Sequence, residues 1–177
     1  AAEEAIQESL KLAKTLRATE AIAACLNSLG AIAEQRRDYE RALEYFRQAL
    51  ELATRIGNAF AEAALSANLA HLLYELQPNQ PDVRTYAERA LHASAAIKNV
   101  YVRAVALEVL GLLDLDNRRP EDARAKLRAA LADMVAVRSL PGIMSLVAAL
   151  SRWAAETNEG ALAARFAAIA LRNPASE

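Results

Sequence analysis

Apolar residues recur at helical spacing along almost the whole chain. They repeatedly occupy positions i, i+3, i+4 and i+7, which predicts a buried stripe along one face of each helix. Residues 33–53 illustrate the pattern, because a charged turn is followed there by one amphipathic helix. On this reading the chain contains nine helices, one from Ala1 to about Thr15 and then four helix pairs.

The pattern returns with a period of about 40 residues, which is typical of helical repeats. One evenly spaced column of leucines contains Leu29, Leu69, Leu110 and Leu150. A second column has the same spacing and contains Leu10, Leu50, Leu91, Leu131 and Leu171. In each column a single step is longer than the others, by one inserted position that we place in the proline-containing segment 77–81. Two columns with the same step and the same insertion indicate an internal repeat.

This repeat predicts one continuous array over residues 1–177. Residues 1–16 form the second helix of a truncated repeat in this interpretation. Four helix-pair repeats follow, at residues 17–57, 58–98, 99–138 and 139–173. Turns are predicted at residues 16–19, 56–58, 97–99 and 138–142.

Several local signals support these helices. Asp38 is suited to accept a hydrogen bond from the free N–H groups of a helix N-terminus, so we expect it to be an N-cap. Pro120 is expected at a first helical position, where its missing N–H is not needed. Favourable side-chain pairs at i,i+4 spacing are predicted for Glu51 with Arg55 and for Asp122 with Lys126.

Small residues stand at fixed places among large ones. Gly30 lies inside a strongly helical segment, where glycine costs about 1 kcal/mol relative to alanine. Phe46, on the next helix, is flanked by Ala42 and Ala49 at −4 and +3. We therefore predict that Gly30 marks a close crossing of two helices. Gly111 and the trio Ala123, Leu127 and Ala130 repeat this arrangement two periods further along the chain.

Leu29-Gly30 followed by Tyr39, Ala42, Phe46 and Ala49 resembles the tetratricopeptide repeat. The match weakens in the second repeat, where Ala70, Val83 and Ala87 stand at the corresponding positions, and further in the fourth, with Ser151, Ala163 and Ala167. The resemblance implies an all-α fold, a right-handed superhelical solenoid of antiparallel helix pairs. HEAT and armadillo arrays have similar periods, but the small–large–small pattern argues against them. The long period resembles the longer repeats of multidomain bacterial regulators.

The composition gives little sign of a nucleic-acid, metal-binding or catalytic site. Lysine and arginine are interleaved with aspartate and glutamate at a formal net charge of −1, which argues against a nucleic-acid site in this segment. His71 and His92 are the only histidines and belong to no Cys/His cluster, so no metal and no cofactor is expected. Cys25 and Trp153 fall in columns of core residues. No phosphate loop or catalytic triad is present, and we expect the protein not to be an enzyme.

The resemblance implies that the first helices line a concave binding groove. We predict the lining residues as those on the face of each first helix that points away from its small-residue contacts. They are Asn27, Ala31, Glu34, Gln35, His71, Tyr74, Glu75, Glu108, Leu112, Asp116, Arg152 and Glu156. This set leans acidic, which favours a neutral or basic peptide or a polar small ligand.

The leading hypothesis is a non-enzymatic protein-interaction module that binds a peptide or protein partner, or flanking domains of the same chain. Because the sequence begins without methionine, we expect a piece of a larger bacterial signalling or transcription-regulatory protein. No segment has the length and apolarity of a membrane span, and a single cysteine is compatible with a reducing compartment, so we expect a cytoplasmic location. Two alternatives are a ligand-sensing domain and a scaffold that forms homo-oligomers by end-to-end stacking.

Overall fold

The computed structural model describes residues 2–171, apart from the side chains of Ala167, Ala170 and Leu171. Within these residues the chain forms nine α-helices and no strand, as predicted. They are α1 (Ala2–Thr15), α2 (Thr19–Gln35), α3 (Tyr39–Arg55), α4 (Ala59–Leu76), α5 (Pro81–Ala96), α6 (Val100–Asp116), α7 (Pro120–Ala136), α8 (Leu140–Glu156) and α9 (Gly160–Leu171). Residues 172 and 173 of the last predicted repeat lie outside the described residues, as do the side chains of Ala167, Ala170 and Leu171 in the predicted columns.

The helices fall into two units that divide between Ile97 and Lys98. In the N-terminal unit, α1 to α5 pack in chain order, each helix against the next. In the C-terminal unit, α6 to α9 pack in the same way, and α6 also contacts α8. The division lies one residue from the predicted boundary between the repeats 58–98 and 99–138. Below, α2, α4, α6 and α8 are called the first helices, and α3, α5, α7 and α9 the second helices.

Short loops of nearly constant length connect the helices. Within the described part of the chain seven loops have three residues, and one, residues 77–80, has four. The extra residue therefore lies where the leucine columns place it. The predicted turns at residues 16–19 and 138–142 are shorter than expected, because α2 already begins at Thr19 and α8 at Leu140.

The three-residue loops share a conformation that ends one helix and leads directly into the next. The middle residue adopts a left-handed conformation, with φ between 53° and 70°, in Arg17, Arg37, Gly57, Lys98, Arg118, Arg138 and Asn158. In the loop between α2 and α3, the N–H of Asp38 donates to the carbonyl of Ala33 at 2.9 Å, a bond typical of the Schellman motif. The Asp38 carboxylate in turn accepts from the N–H of Arg41 at 3.4 Å. Asp38 is therefore the N-cap that the sequence predicts, and Pro120 likewise occupies the first position of α7.

A close crossing of α2 and α3 forms the centre of the N-terminal core. Phe46, Ala42 and Ala49 are all fully buried. A Cβ atom added to Gly30 would lie 2.6 Å from Cε1 of Phe46, a distance that side chains do not tolerate. The missing side chain of Gly30 therefore makes the space that the Phe46 ring occupies. This confirms the packing interpretation of Gly30.

The residues at the corresponding positions differ in size between repeats. In the C-terminal unit, a Cβ on Gly111 would lie 2.9 Å from Cγ of Leu127. In the second full repeat the first helix has Ala70 and the second helix has Ala87, and both are fully buried. Glycine is therefore accompanied by a large residue, whereas at the corresponding positions of the second full repeat alanine is accompanied by alanine. A larger side chain on one helix is matched by a smaller one on the other, which keeps the interior close-packed.

Trp153 is a core residue, as its column predicts. Its side chain is 2% exposed, and its indole N–H donates to the carbonyl of Pro120 at 2.8 Å. The guanidinium of Arg124 lies 4.9 Å from the ring centroid, within the range of a cation–π contact. Cys25 differs from its prediction, because it is only partly buried, while Leu65, Ala106 and Leu146 of its column are buried.

Neither predicted i,i+4 ion pair is present among the described residues. Lys126 binds Asp114 through Nζ and Oδ2 at 2.6 Å instead of pairing with Asp122. Asp114 is 1% exposed, and its carboxylate also accepts from Arg119. A buried carboxylate requires partners more strongly than an exposed one, so the contact between helices α6 and α7 replaces the local pair. Glu51 and Arg55 likewise do not pair, and Arg55 lies at the edge of a cleft described below.

We predict that Gly30→Leu destabilises the protein by about 1–3 kcal/mol through overpacking against Phe46. Phe46→Ala in the Gly30→Leu background should recover part of this loss, since the two side chains compete for one space. Chemical denaturation of the four members of the cycle measures the coupling. Strictly additive effects would show that the two residues do not share a cavity.

Gly57 provides a test of the loop geometry alone. Its φ is +70°, and an added Cβ would meet no atom within 4 Å. We expect Gly57→Ala to lower the free energy of unfolding by about 1 kcal/mol, because only backbone strain changes. Gly160→Ala is the matched control: its added Cβ is equally unobstructed but lies in a helix, so stability should stay constant or rise. Equal losses in both variants would disprove the explanation by strain.

Candidate binding surface on the first helices

The predicted groove residues all lie on first helices. In the N-terminal unit, α2 and α4 hold seven of them: Asn27, Ala31, Glu34, Gln35, His71, Tyr74 and Glu75. In the C-terminal unit, α6 and α8 hold the other five: Glu108, Leu112, Asp116, Arg152 and Glu156. The two sets are described separately, and the seven residues of the N-terminal unit are called the N-terminal surface.

A histidine between two carboxylates forms the polar centre of the N-terminal surface. His71 on α4 has its Nδ1 4.0 Å from Oε1 of Glu34 on α2. Its Nε2 lies 3.9 Å from Oε1 of Glu75, one turn along the same helix. The contact between Glu34 and His71 joins two successive first helices. Among the described residues, no lysine or arginine lies within ion-pair distance of Glu34 or Glu75.

Burial shifts the protonation of Glu34. Its side chain is 31% exposed, and its pKa is raised above the ordinary value of 4.5. Desolvation is the main cause, and repulsion by Glu75 adds to it, whereas the nearby His71 opposes both. The N-terminal surface therefore contains a carboxylate whose negative charge is incompletely compensated by the protein itself.

Amide groups continue the contact between α2 and α4. Nδ2 of Asn68 donates to Oδ1 of Asn27 at 3.4 Å, and both side chains are partly buried. Ala31 and Tyr74 are partly buried as well, while Gln35 is exposed. Asn68 was not among the predicted residues, although it is an amide in an otherwise apolar part of α4. Whether Asn68 reaches Asn27 depends on how α4 is rotated about its axis relative to α2, which the sequence pattern does not give.

The charged residues among the five of the C-terminal unit already have ion-pair or hydrogen-bond partners within that unit. Arg152 on α8 binds Asp116 on α6 at 2.6 Å and Glu156 on its own helix at 2.7 Å. Glu108 is only 4% exposed and accepts a hydrogen bond from the hydroxyl of Ser145, a residue that was not among those predicted. Leu112 packs against the unit's core. This set therefore has less free polar surface than the N-terminal one.

The described residues offer no group of three or more His, Cys, Asp or Glu side chains arranged to hold a metal ion. In the same part of the chain, no helix combines the length and apolarity needed to cross a membrane.

Residues 23–55, which extend from α2 to the end of α3, match the family model described as "Tetratricopeptide repeat". This segment contains Gly30, Ala42, Phe46 and Ala49, the residues that carry the resemblance in the sequence. Tetratricopeptide repeats are a non-catalytic fold that generally mediates protein–protein interaction.

A solved structure extends the similarity from one repeat to the fold. The crystal structure of BtubC (BKLC) from P. vanneervenii aligns with a TM-score of 0.69 at 19% sequence identity. The alignment covers 96% of this chain and 70% of that chain. At this identity the likeness concerns the fold, a helical repeat of the tetratricopeptide type. No curated protein matches the sequence.

Because the pKa of Glu34 is raised, the stability of the protein is expected to depend on pH through this residue. The folded protein holds the proton more tightly than the unfolded chain, so this contribution to stability is complete below pH 4.5 and is lost as the pH rises through the folded-state pKa. Glu34→Gln should therefore match the wild type in acid and become the more stable protein towards pH 7. Urea denaturation across this range measures the difference. A Gln variant that is less stable at pH 7 would contradict the assignment.

Proposed function

We propose that this chain is a non-enzymatic protein-interaction module whose N-terminal surface binds a peptide segment of a partner. One observation carries the proposal: Glu34 and Glu75 flank His71 on adjacent first helices without a lysine or arginine partner among the described residues. A cationic side chain placed there would supply the missing counter-charge of the partly desolvated carboxylate. The occupant is therefore a peptide that presents lysine or arginine.

The partly buried neighbours define what else the peptide meets. Asn27 and Asn68 provide amide groups for backbone hydrogen bonds, and Tyr74 and Ala31 provide apolar contact area. Arg152, already bound to two carboxylates, and the buried Glu108 leave the C-terminal unit a weaker candidate for the same role. The N-terminal surface is thus the first place to look for a partner.

The wider context is part of the same proposal. A repeat period of about 40 residues resembles that of the tetratricopeptide regions of multidomain bacterial regulators. We therefore propose that the chain belongs to a larger, cytoplasmic signalling or transcription-regulatory protein, where it contacts a partner or flanking domains. Determination of the complete gene and its neighbouring domains tests this part directly.

The binding proposal is tested with a positional library of fluorescent peptides. Peptides enriched on the wild-type protein should contain lysine or arginine at a fixed position. Glu34→Gln/Glu75→Gln should weaken their binding by about tenfold or more, which corresponds to about 1.4 kcal/mol. Glu40→Gln/Glu44→Gln on α3 is the matched control, since it changes the net charge equally at exposed positions of a second helix.

Three results would count against the proposal. Equal losses in the two double variants would show a general charge effect. Enrichment of a small metabolite in a thermal-shift screen, with no peptide bound, would favour a ligand sensor. Concentration-dependent light scattering without peptide binding would favour a self-associating scaffold.

A further inference from the structure

A second polar cleft lies on the second helices of the N-terminal unit, away from the residues of the N-terminal surface. It has a volume of about 450 Å³ and is formed by α3 and α5. Its polar walls are Arg47, Glu51, Thr54, Arg55, Tyr86 and Arg89. We call it the α3–α5 cleft.

The floor and one wall of the α3–α5 cleft are held in place by the fold. Leu50 is 5% exposed and belongs to the core cluster, against which the Tyr86 ring packs. Arg89 donates from Nη2 to the Thr54 hydroxyl at 2.6 Å and from Nε to Glu62 at 2.8 Å. The Thr54 hydroxyl donates to the Leu50 carbonyl at 2.9 Å. Arg89 is therefore a fixed, charge-paired wall and not a free cation.

The other two arginines of the cleft have no such partners. Among the described residues, neither Arg47 nor Arg55 has a carboxylate within ion-pair distance. Glu51 stands one helical turn from each of them, yet it pairs with neither. With Arg89 offset by Glu62, the lining of the cleft holds two cations and one anion from α3. Glu40 and Glu44 line the adjoining cleft that shares Arg47, outside the α3–α5 cleft itself. Within the α3–α5 cleft the balance of charge favours a ligand of negative charge.

The spacing of the two arginines indicates whether the negatively charged ligand is one small anion or a longer segment with two charges. Arg47 and Arg55 are eight residues apart on one helix, so their Cα atoms are separated by about 12 Å along its axis. One small anion between them would lie against the Glu51 carboxylate, which repels it. An extended peptide, at about 3.3 Å per residue, spans the same length with two acidic residues four positions apart.

We propose that the α3–α5 cleft binds an acidic peptide segment, with one carboxylate at Arg47 and a second at Arg55. Guanidinium groups bind carboxylates through paired hydrogen bonds, and the Tyr86 ring offers an apolar wall for the residues between. The protein then carries two recognition surfaces of opposite preference, one for cationic and one for anionic segments. This inference does not depend on the proposed function of the N-terminal surface.

The probe is a serine–glycine peptide with two glutamates four positions apart, added to the isotope-labelled full chain. NMR signals of the arginine Nε–H groups report weak binding directly at Arg47 and Arg55. The expected result is saturable shifts of these two signals, which weaken as salt is added. Saturable shifts confined to other arginines would overturn the proposal, as would equal shifts with the matching two-glutamine peptide.

Substitutions separate this cleft from general electrostatics. Arg47→Gln/Arg55→Gln should weaken binding of the two-glutamate peptide at least tenfold, while Glu51→Gln should tighten it severalfold. Arg128→Gln, at the equivalent position of α7, is the control and should leave the affinity unchanged. A loss in Arg128→Gln as large as in the double variant would overturn the proposal, as would weaker binding in Glu51→Gln. Thermal unfolding verifies that each variant is folded.

Two further measurements distinguish a peptide from a small anion as the ligand, and the α3–α5 cleft from the N-terminal surface as the binding site. Inorganic phosphate that displaces the peptide at equal concentration would contradict a peptide-sized site. Glu34→Gln/Glu75→Gln should bind the acidic peptide as the wild type does, whatever the fate of the basic-peptide proposal. A loss in that variant would place the acidic peptide on the other surface and overturn the assignment to the cleft.

Discussion

The packing of Phe46 and Leu127, each on a second helix, into the space left by a glycine on the preceding first helix is the contact on which the rest of this structure depends. A pair of helices buries only part of its apolar surface, and stability comes from the contacts that successive helices make with their neighbours. Gly30 allows α2 and α3 to approach closely enough to enclose Phe46, and Gly111 does the same for Leu127. Where the second helix contributes only Ala87, the first helix contributes Ala70. The combination of residue sizes thus differs among these three pairs, while the residues stay buried.

Constant loops turn this contact into a repeat. A left-handed middle residue ends one helix in each three-residue loop. In four of these loops the side chain of the following residue, Asp38, Asn58, Asn99 or Ser139, caps the next helix. The one longer loop absorbs the inserted residue at 77–80 without disturbing Ala70 or Ala87. Polar residues are then free to vary on the outer faces of the helices. This freedom allows first and second helices of one unit to carry surfaces of different charge.

The sequence sufficed for features that depend on local spacing. The helix count, the N-cap Asp38, the first helical position of Pro120 and the Gly30 crossing follow from periodicity and from short-range hydrogen bonding. Features that depend on how one helix is rotated against another were not predictable in this way. The Glu34–His71 contact, the Asn68 amide and the Ser145–Glu108 bond all join helices far apart in sequence. The expected Asp122–Lys126 pair was wrong because the buried Asp114 competes more strongly for the same lysine.

The most direct test of the packing account is an NMR measurement of the Gly30 α-protons. If Phe46 occupies the space beside Gly30, strong nuclear Overhauser contacts are expected between these protons and the Phe46 ring, together with a ring-current shift of their resonances. Ring contacts should also reach Ala42 and Ala49, the two small neighbours on α3. An intense Gly30 signal at random-coil position, with no contact to the Phe46 ring, would contradict the central claim.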